Sequence, residues 1–177
     1  MEGVGQAAAG GAGVTLAGVV APVWGFDVST RRISMGVLSA DGSVAARTLS
    51  IEQDVPHRRL GHALREVIPW LRVPDAPALV AVEQPFGASM SRVDPQSFYM
   101  VGVVLAALGV IAPAGVDVLM LPPQSWKSRS VGHGRASKLE VLEWARREHG
   151  YAGSLEDEAD AIGVTVAAPV KLLELRS

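Results

Sequence analysis

The chain of 177 residues contains no cysteine. That absence removes disulfide scaffolds, thiolate zinc sites and cysteine nucleophiles together, leaves any metal to oxygen or imidazole ligands, and fits a reducing compartment. Net charge is also scarce. Sixteen basic residues against 18 acidic ones give −2, so no global cationic field advertises a nucleic-acid partner. Lysine occurs only at 127, 138 and 171. A clean membrane-spanning run is missing as well. Gly3 to Phe26 is uncharged but crowded with Gly and Ala and broken by Pro22, while Tyr99 to Ala112 is short for a span and ends at Pro113. The opening Met-Glu is not the basic start of a secretory signal. These absences predict a cytoplasmic protein with no membrane partner.

What is present is apolar material for one core: 49% hydrophobic residues and a mean hydropathy of +0.26 exclude wholesale disorder. Residues 1–20, rich in Gly and Ala, read as a flexible N-terminal extension, leaving 21–177 as a single domain. Val23 to Val28 reads as a buried strand that carries Asp27 near its end. Ile33 to Leu38 and Val44 to Leu49 are strands joined through Asp41-Gly42, a strong hairpin signal, so the opening unit is a three-stranded meander. An amphipathic helix then follows a capping Asp54, with Leu60, Ala63, Leu64, Val67, Ile68 and Leu71 at helical spacing. Ala78 to Glu83 is a fourth strand ending in a carboxylate. Asp94-Pro95 opens an apolar helix to about Ile111. Val116 to Leu121 is a fifth strand, Pro122 to Gly134 a long polar loop, Ser137 to about Glu148 a helix, and about Leu155 to Leu173 the last helix. This order predicts an α/β fold with a mixed five-stranded sheet, the antiparallel meander plus parallel strands, flanked by helices.

Four acids stand where chemistry would want them: Asp27 and Glu83 at strand ends, and Asp157 and Asp160 one turn apart at the start of the last helix. If that helix crosses the strand ends, all four converge. Carboxylates crowded together raise one another's pKa, and at neutral pH such a cluster calls for a hard divalent cation, magnesium first. Two such ions activate a water and stabilise the leaving oxygen in phosphoryl displacement. Each acid also has a plainer reading. Asp27 is suited to opening a turn, and Asp157 and Asp160, like Glu156 and Glu158, favour the N-terminal helix dipole. Glu83 closes an apolar strand, an expensive place for an unpaired charge. Beside the acids runs a basic, acid-free stretch from Gln124 to Lys138 that holds Lys127, Arg129, Arg135 and Lys138.

The elements around Gly25-Phe26-Asp27-Val28-Ser29, Val82-Glu83-Gln84-Pro85-Phe86, Val131-Gly132-His133-Gly134-Arg135-Ala136-Ser137-Lys138 and Asp157-Glu158-Ala159-Asp160-Ala161-Ile162-Gly163 resemble the RuvC-type Holliday junction resolvases of the RNase H-like nuclease superfamily. The resemblance runs from about Val23 to Ala168. It implies that Asp27, Glu83, Asp157 and Asp160 are catalytic carboxylates holding two Mg²⁺ ions, with Mn²⁺ as a substitute, and that cleavage leaves 5′-phosphate and 3′-hydroxyl ends. It assigns Lys127 and Lys138 to the scissile strand, where a solvated loop is the plainer reading, and Phe86 to stacking on bases at the exchange point, an interaction worth about 1–3 kcal/mol per base, where a loop hydrophobe folded onto the core is the plainer one. Arg129, Arg135, Gly132 and Gly134 join them as DNA-binding residues; the glycines equally suit a flexible loop. Trp126 has two readings, loop anchor or DNA stack. His133 has a bland reading beside a phosphate one, and His57, His62 and His149 lack metal-ligand spacing. The resemblance further implies four-way junctions or other branched DNA as partner, a homodimer through the helix at about 95–112, and a bacterial or phage-infected bacterial cytoplasm. A buried core helix is the competing reading of 95–112. Viral members of the family also act on forks and flaps. Gly25 to Thr30 with Met35 to Leu38 resembles as well the phosphate loop of sugar kinases and actin-like ATPases, which need two such domains. A junction-binding module without turnover is the remaining alternative, and the intact acidic quartet opposes it.

Overall fold

A computed structural model describes residues 22–72, 76–85 and 95–177. Its elements, in chain order, are β1 (Val23–Val28), β2 (Arg32–Leu38), β3 (Val44–Ser50), α1 (Pro56–Trp70), β4 (Leu79–Glu83), α2 (Pro95–Ile111), β5 (Asp117–Leu121), α3 (Pro123–Ser130), α4 (Lys138–His149) and α5 (Glu156–Arg176). The five strands form one sheet in the order β3-β2-β1-β4-β5. β1, β2 and β3 pair antiparallel, and β4 and β5 add in parallel. This is the expected mixed sheet. The β2–β3 turn closes as Asp41-Gly42 predicts: Gly42 adopts a φ of 84°, and the Asp41 carboxylate accepts from Ser43 N at 2.9 Å.

Alternation along the strands divides the core in two. Trp24, Phe26, Val28, Val80 and Val82 turn to one face and bury against α1 and α2. Val23, Leu79, Ala81 and Leu121 turn to the other and pack with α3, α4 and α5. Asp27 and Glu83 share the phase of this second set, so the sheet delivers both carboxylates to the face that α5 crosses. The crossing is close because two glycines allow it. A methyl group at Gly25 would stand 2.3 Å from Thr165 Oγ1, and one at Gly36 would stand 2.4 Å from the same atom and 2.8 Å from the Ala161 carbonyl. Bare backbone at β1 and β2 therefore seats the helix that carries Asp157 and Asp160.

Several local expectations are corrected. The polar loop expected from Pro122 to Gly134 contains a helix, α3, with Pro at its first turn and a single buried residue, Trp126. One apolar side chain in eight residues has no period to detect. Asp54 does not cap α1: the N-cap is Val55, without a side-chain bond, and the Asp54 carboxylate instead pairs with Arg31 at 2.9 Å. The last helix runs from Glu156 to Arg176, slightly beyond its expected end. α2 does begin at Pro95; the capping role of Asp94, and the extension over residues 1–20, lie outside the described residues. Among the described residues no helix is long and apolar enough to cross a membrane.

Candidate active site

β1 ends beside β4, and the register that sets Phe26 against Val82 places Asp27 and Glu83 at the next step. α5 brings Asp157 and Asp160 over them, one turn apart, both buried. The four acids lie within electrostatic reach of one another. Burial raises the Asp27 pKa well above the usual carboxylate value, and the charges of Glu83, Asp160 and Asp157 add to the effect. Glu83 is pushed up to about 7, first by burial and then by Asp160. Asp160 is pushed up to about 6 by burial, with Lys138 and Lys127 opposing the shift.

Lys138 is the counter-charge at the centre. Its ammonium stands 3.1 Å from Asp157 Oδ1, 3.8 Å from Asp160 Oδ2 and 3.7 Å from Glu156 Oε2, and its charge also lowers the pKa values of Asp27 and Glu83. Local structure fixes its position at the first turn of α4. Ser137 Oγ accepts from Glu140 N, while Glu140 Oε2 accepts from Ser137 N at 2.7 Å, a reciprocal capping box. Asp157 takes a second cation: Arg32 Nε lies 3.1 Å from its Oδ2.

The acids share a pocket without being closed on an ion. No group of three or more carboxylate and imidazole side chains among the described residues is already gathered at metal-holding spacing. The donor set nevertheless suits a hard divalent cation. Asp160 Oδ1 is buried with no hydrogen-bond partner, and burial, with the charges of the neighbouring acids added to it, raises the pKa of Asp27, a cost of ionisation that a divalent charge offsets.

The basic stretch divides by what each residue touches. Lys127 Nζ donates to the Ala136 carbonyl at 2.8 Å and lies 5.4 Å from the Trp126 ring centre, holding the link between α3 and α4. Arg129 uses every side-chain nitrogen inside the protein, on both carboxylate oxygens of Glu174 and on the Ser125 carbonyl and hydroxyl. It ties α3 to α5. Arg135 is exposed. Gly132 takes a φ of 104°, which side chains disfavour. Gly134 answers an internal demand, since a methyl group there would meet the Gln124 carbonyl at 2.8 Å. His133 lies 3.5 Å from Glu140, and His149 packs edge-on against Trp144. Phe86 lies outside the described residues.

Trp126 is an anchor. Its fully buried ring fills the notch left by Gly163, where a methyl group would come within 2.4 Å, and its indole N–H donates to Glu83 Oε2 at 2.8 Å. The sequence offered both readings of Trp126 without separating them. Arg32 carries no signal in the sequence: an arginine opening a strand gains meaning only where the fold brings it to Asp157. Glu158, read as a dipole residue, also accepts from Tyr151 Oη at 2.5 Å.

No family model matches the chain. The crossover junction endodeoxyribonuclease RuvC of Anaeromyxobacter sp. (strain K) is 33% identical over 153 residues, covering 81% of this chain and 78% of that protein. RuvC of Acidovorax sp. (strain JS42) is 31% identical over 154 residues, covering 81% and 82%. Among solved structures, Thermus thermophilus RuvC in complex with Holliday junction substrate superposes with a TM-score of 0.66 at 27% identity, over 82% of this chain and 90% of that one. The sugar-kinase and actin-like reading falls. With a mixed five-stranded RNase H-like sheet and relatives of this identity over most of both lengths, the chain belongs to the RuvC family of crossover junction endodeoxyribonucleases.

Proposed function

We propose that the chain is a metal-dependent, structure-selective DNA endonuclease that resolves four-way junctions by paired symmetric nicks, leaving 5′-phosphate and 3′-hydroxyl ends. The observation that carries this reading is the set Asp27, Glu83, Asp157 and Asp160, delivered by two strand ends and one helix to a common face with Lys138 among them. Those four carboxylates would hold Mg²⁺, two ions per site with Mn²⁺ as a substitute. Bound there, the ions supply an activated water and a stabilised leaving oxygen.

The side chains do the rest. Asp27, flanked by Glu83 and the α5 pair, would contact both ions. Trp126 holds Glu83 in one orientation through its 2.8 Å hydrogen bond. Lys138 offsets part of the repulsion among the acids and stands where it would meet a phosphate brought to the carboxylates. Arg135 and the Gly132–Gly134 turn present the basic loop to the DNA backbone. Lys127 and Arg129, whose nitrogens are engaged inside the protein, act by shaping that loop. Phe86 stacks at the exchange point.

Cutting two opposed strands needs two copies. α2 buries Met100, Val101, Val104, Ala107 and Leu108 but exposes Tyr99, Leu105 and Val110, the last at 71%. A groove between α2 and β5, lined by Leu105, Leu108, Ala112, Val116 and Val118, continues that surface. It supports a homodimer through α2. A bacterial or phage-infected cytoplasm, with roles in DNA recombination and repair, accompanies this reading.

The test is cleavage of end-labelled four-way junction, fork, flap and linear duplex by the native chain, with Mg²⁺ and with EDTA. Paired symmetric nicks confined to the junction and dependent on Mg²⁺ are expected. Equal cutting of forks and flaps would replace strict resolution by a broader branched-DNA nuclease, and no metal-dependent cutting of any substrate would overturn the enzyme reading.

A further inference from the structure

Arg31 and Arg32 are adjacent in sequence and serve different partners. Arg31 pairs with Asp54 on the surface at 2.9 Å. Arg32, opening β2, is turned to the acidic pocket by a tight turn in which Arg32 N donates to Ser29 Oγ at 3.0 Å and Ser29 N donates to the Arg32 carbonyl at 2.9 Å. Its contact with Asp157 Oδ2 is made by Nε, the inner edge of the guanidinium. The two terminal nitrogens make no hydrogen bond among the described residues, and the side chain is 49% exposed. Asp157 is only 12% exposed and already has Lys138 at 3.1 Å on its other oxygen. The pairing with Arg32 is therefore a second cation on one carboxylate, at the edge of a cluster in which Lys138 is shared among Asp157, Asp160 and Glu156.

A guanidinium with its fork of terminal donors open to solvent, fixed beside a carboxylate cluster, is matched to a tetrahedral anion that arrives from outside. From this geometry we infer that Arg32 is a phosphate-contacting residue of the DNA-binding site: its terminal nitrogens grip a backbone phosphate of the strand entering the acidic pocket, and its Nε contact with Asp157 holds it ready. The inference rests on the nuclease reading and adds to it a residue on the meander side of the pocket, opposite the basic loop. A strand lying over the acids is then held from two sides, by β2 and by the α3–α4 loop. No step of bond making or breaking is assigned to Arg32.

The experiment measures binding of a synthetic four-way junction in EDTA, across a series of KCl concentrations, for Asp27→Asn and for Asp27→Asn carrying Arg32→Ala, Arg32→Lys or Arg31→Ala. Losing one phosphate contact makes log Kd against log salt shallower by about 0.9. Arg32→Ala is expected to show that change with about tenfold weaker binding at low salt. Arg32→Lys should restore the salt slope but only part of the affinity, since an ammonium cannot bind bidentately. Arg31→Ala should leave the slope near that of Asp27→Asn. Mg²⁺ titration by calorimetry without DNA separates the alternative that Arg32 only orients Asp157: in that case Arg32→Ala weakens Mg²⁺ binding and leaves the salt slope unchanged, which overturns the inference. Circular dichroism of Arg32→Ala should match the parent, because an exposed ion pair contributes little to stability. If Asp27→Asn itself fails to bind the junction, the nuclease reading fails first; if it binds and Arg32→Ala binds with the same slope, only the role of Arg32 is lost.

Discussion

The indole N–H of Trp126 donates to Glu83 Oε2 at 2.8 Å, across the seam between α3 and the end of β4. The donor lies inside the fold, so it orients a carboxylate that burial has already made costly to ionise. Trp126→Phe keeps most of the ring against Gly163 and removes only the donor. It is expected to destabilise the protein by about 1–3 kcal/mol and to slow Mg²⁺-dependent junction cleavage about tenfold. Trp126→Ala also empties the notch and should cost about 3–5 kcal/mol. Urea unfolding and single-turnover cleavage check both; Trp126→Phe with native cleavage would show that Glu83 needs no orienting donor.

The seat of α5 on bare backbone makes a second prediction. Gly25→Ala places a methyl group 2.4 Å from Thr165 N and 2.7 Å from Thr165 Cα, backbone atoms that no side-chain rotation moves. The helix must lift, carrying Asp157 and Asp160 away from Asp27. A loss of at least about 2–3 kcal/mol in urea unfolding is expected, with cleavage abolished. Adding Thr165→Ala should not rescue it, since the clash is with backbone. Full rescue would mean that only the Thr165 hydroxyl stood in the way.

The raised carboxylates make stability depend on pH in a direction opposite to that of paired surface acids. Folded Glu83 titrates at about 7 against a usual 4.5, and folded Asp160 at about 6 against 3.8. Between those values the folded chain holds protons that the unfolded chain has released, so this contribution to stability is present at low pH and lost as pH rises through the folded values. His149, whose pKa burial lowers, works the other way near neutrality. The diagnostic is therefore a difference. In EDTA, Tm of the native chain minus that of Glu83→Gln should fall as pH rises from about 5.5 to 8. Mg²⁺ should raise the native Tm more at pH 8 than at pH 5.5. A difference that grows with pH would contradict the assignment.

Lys138 supplies the charge that the ions would replace. Lys138→Met should therefore lower Tm more in EDTA than in saturating Mg²⁺, and should weaken junction binding with a shallower salt dependence. Equal loss of Tm in both conditions would make Lys138 a packing residue only.

Much of this arrangement is legible before folding. Asp41-Gly42 announces the hairpin because only a few residues accept its backbone, and the placement of Asp27, Glu83 and Asp157 with Asp160 follows from strand ends and a helix start. α3 is not legible, since Trp126 alone among its eight residues is buried and contributes no repeat. Asp54 has the look of a cap, but Arg31 competes for its carboxylate from the neighbouring turn. The roles of Arg32, Trp126 and Arg129 are set by partners distant in the chain, on α5, β4 and α5 respectively. Gly134 carries a demand that the sequence does not show: in the fold the Gln124 carbonyl stands 2.8 Å from where its Cβ would lie.

The central claim is that Asp27 and its neighbouring carboxylates form the metal-dependent centre for cutting junction DNA. The most direct measurement is junction cleavage and junction binding, side by side, for the native chain and Asp27→Asn in Mg²⁺. Cleavage lost with binding retained is the predicted result, whereas Asp27→Asn cutting at the native rate would contradict the account.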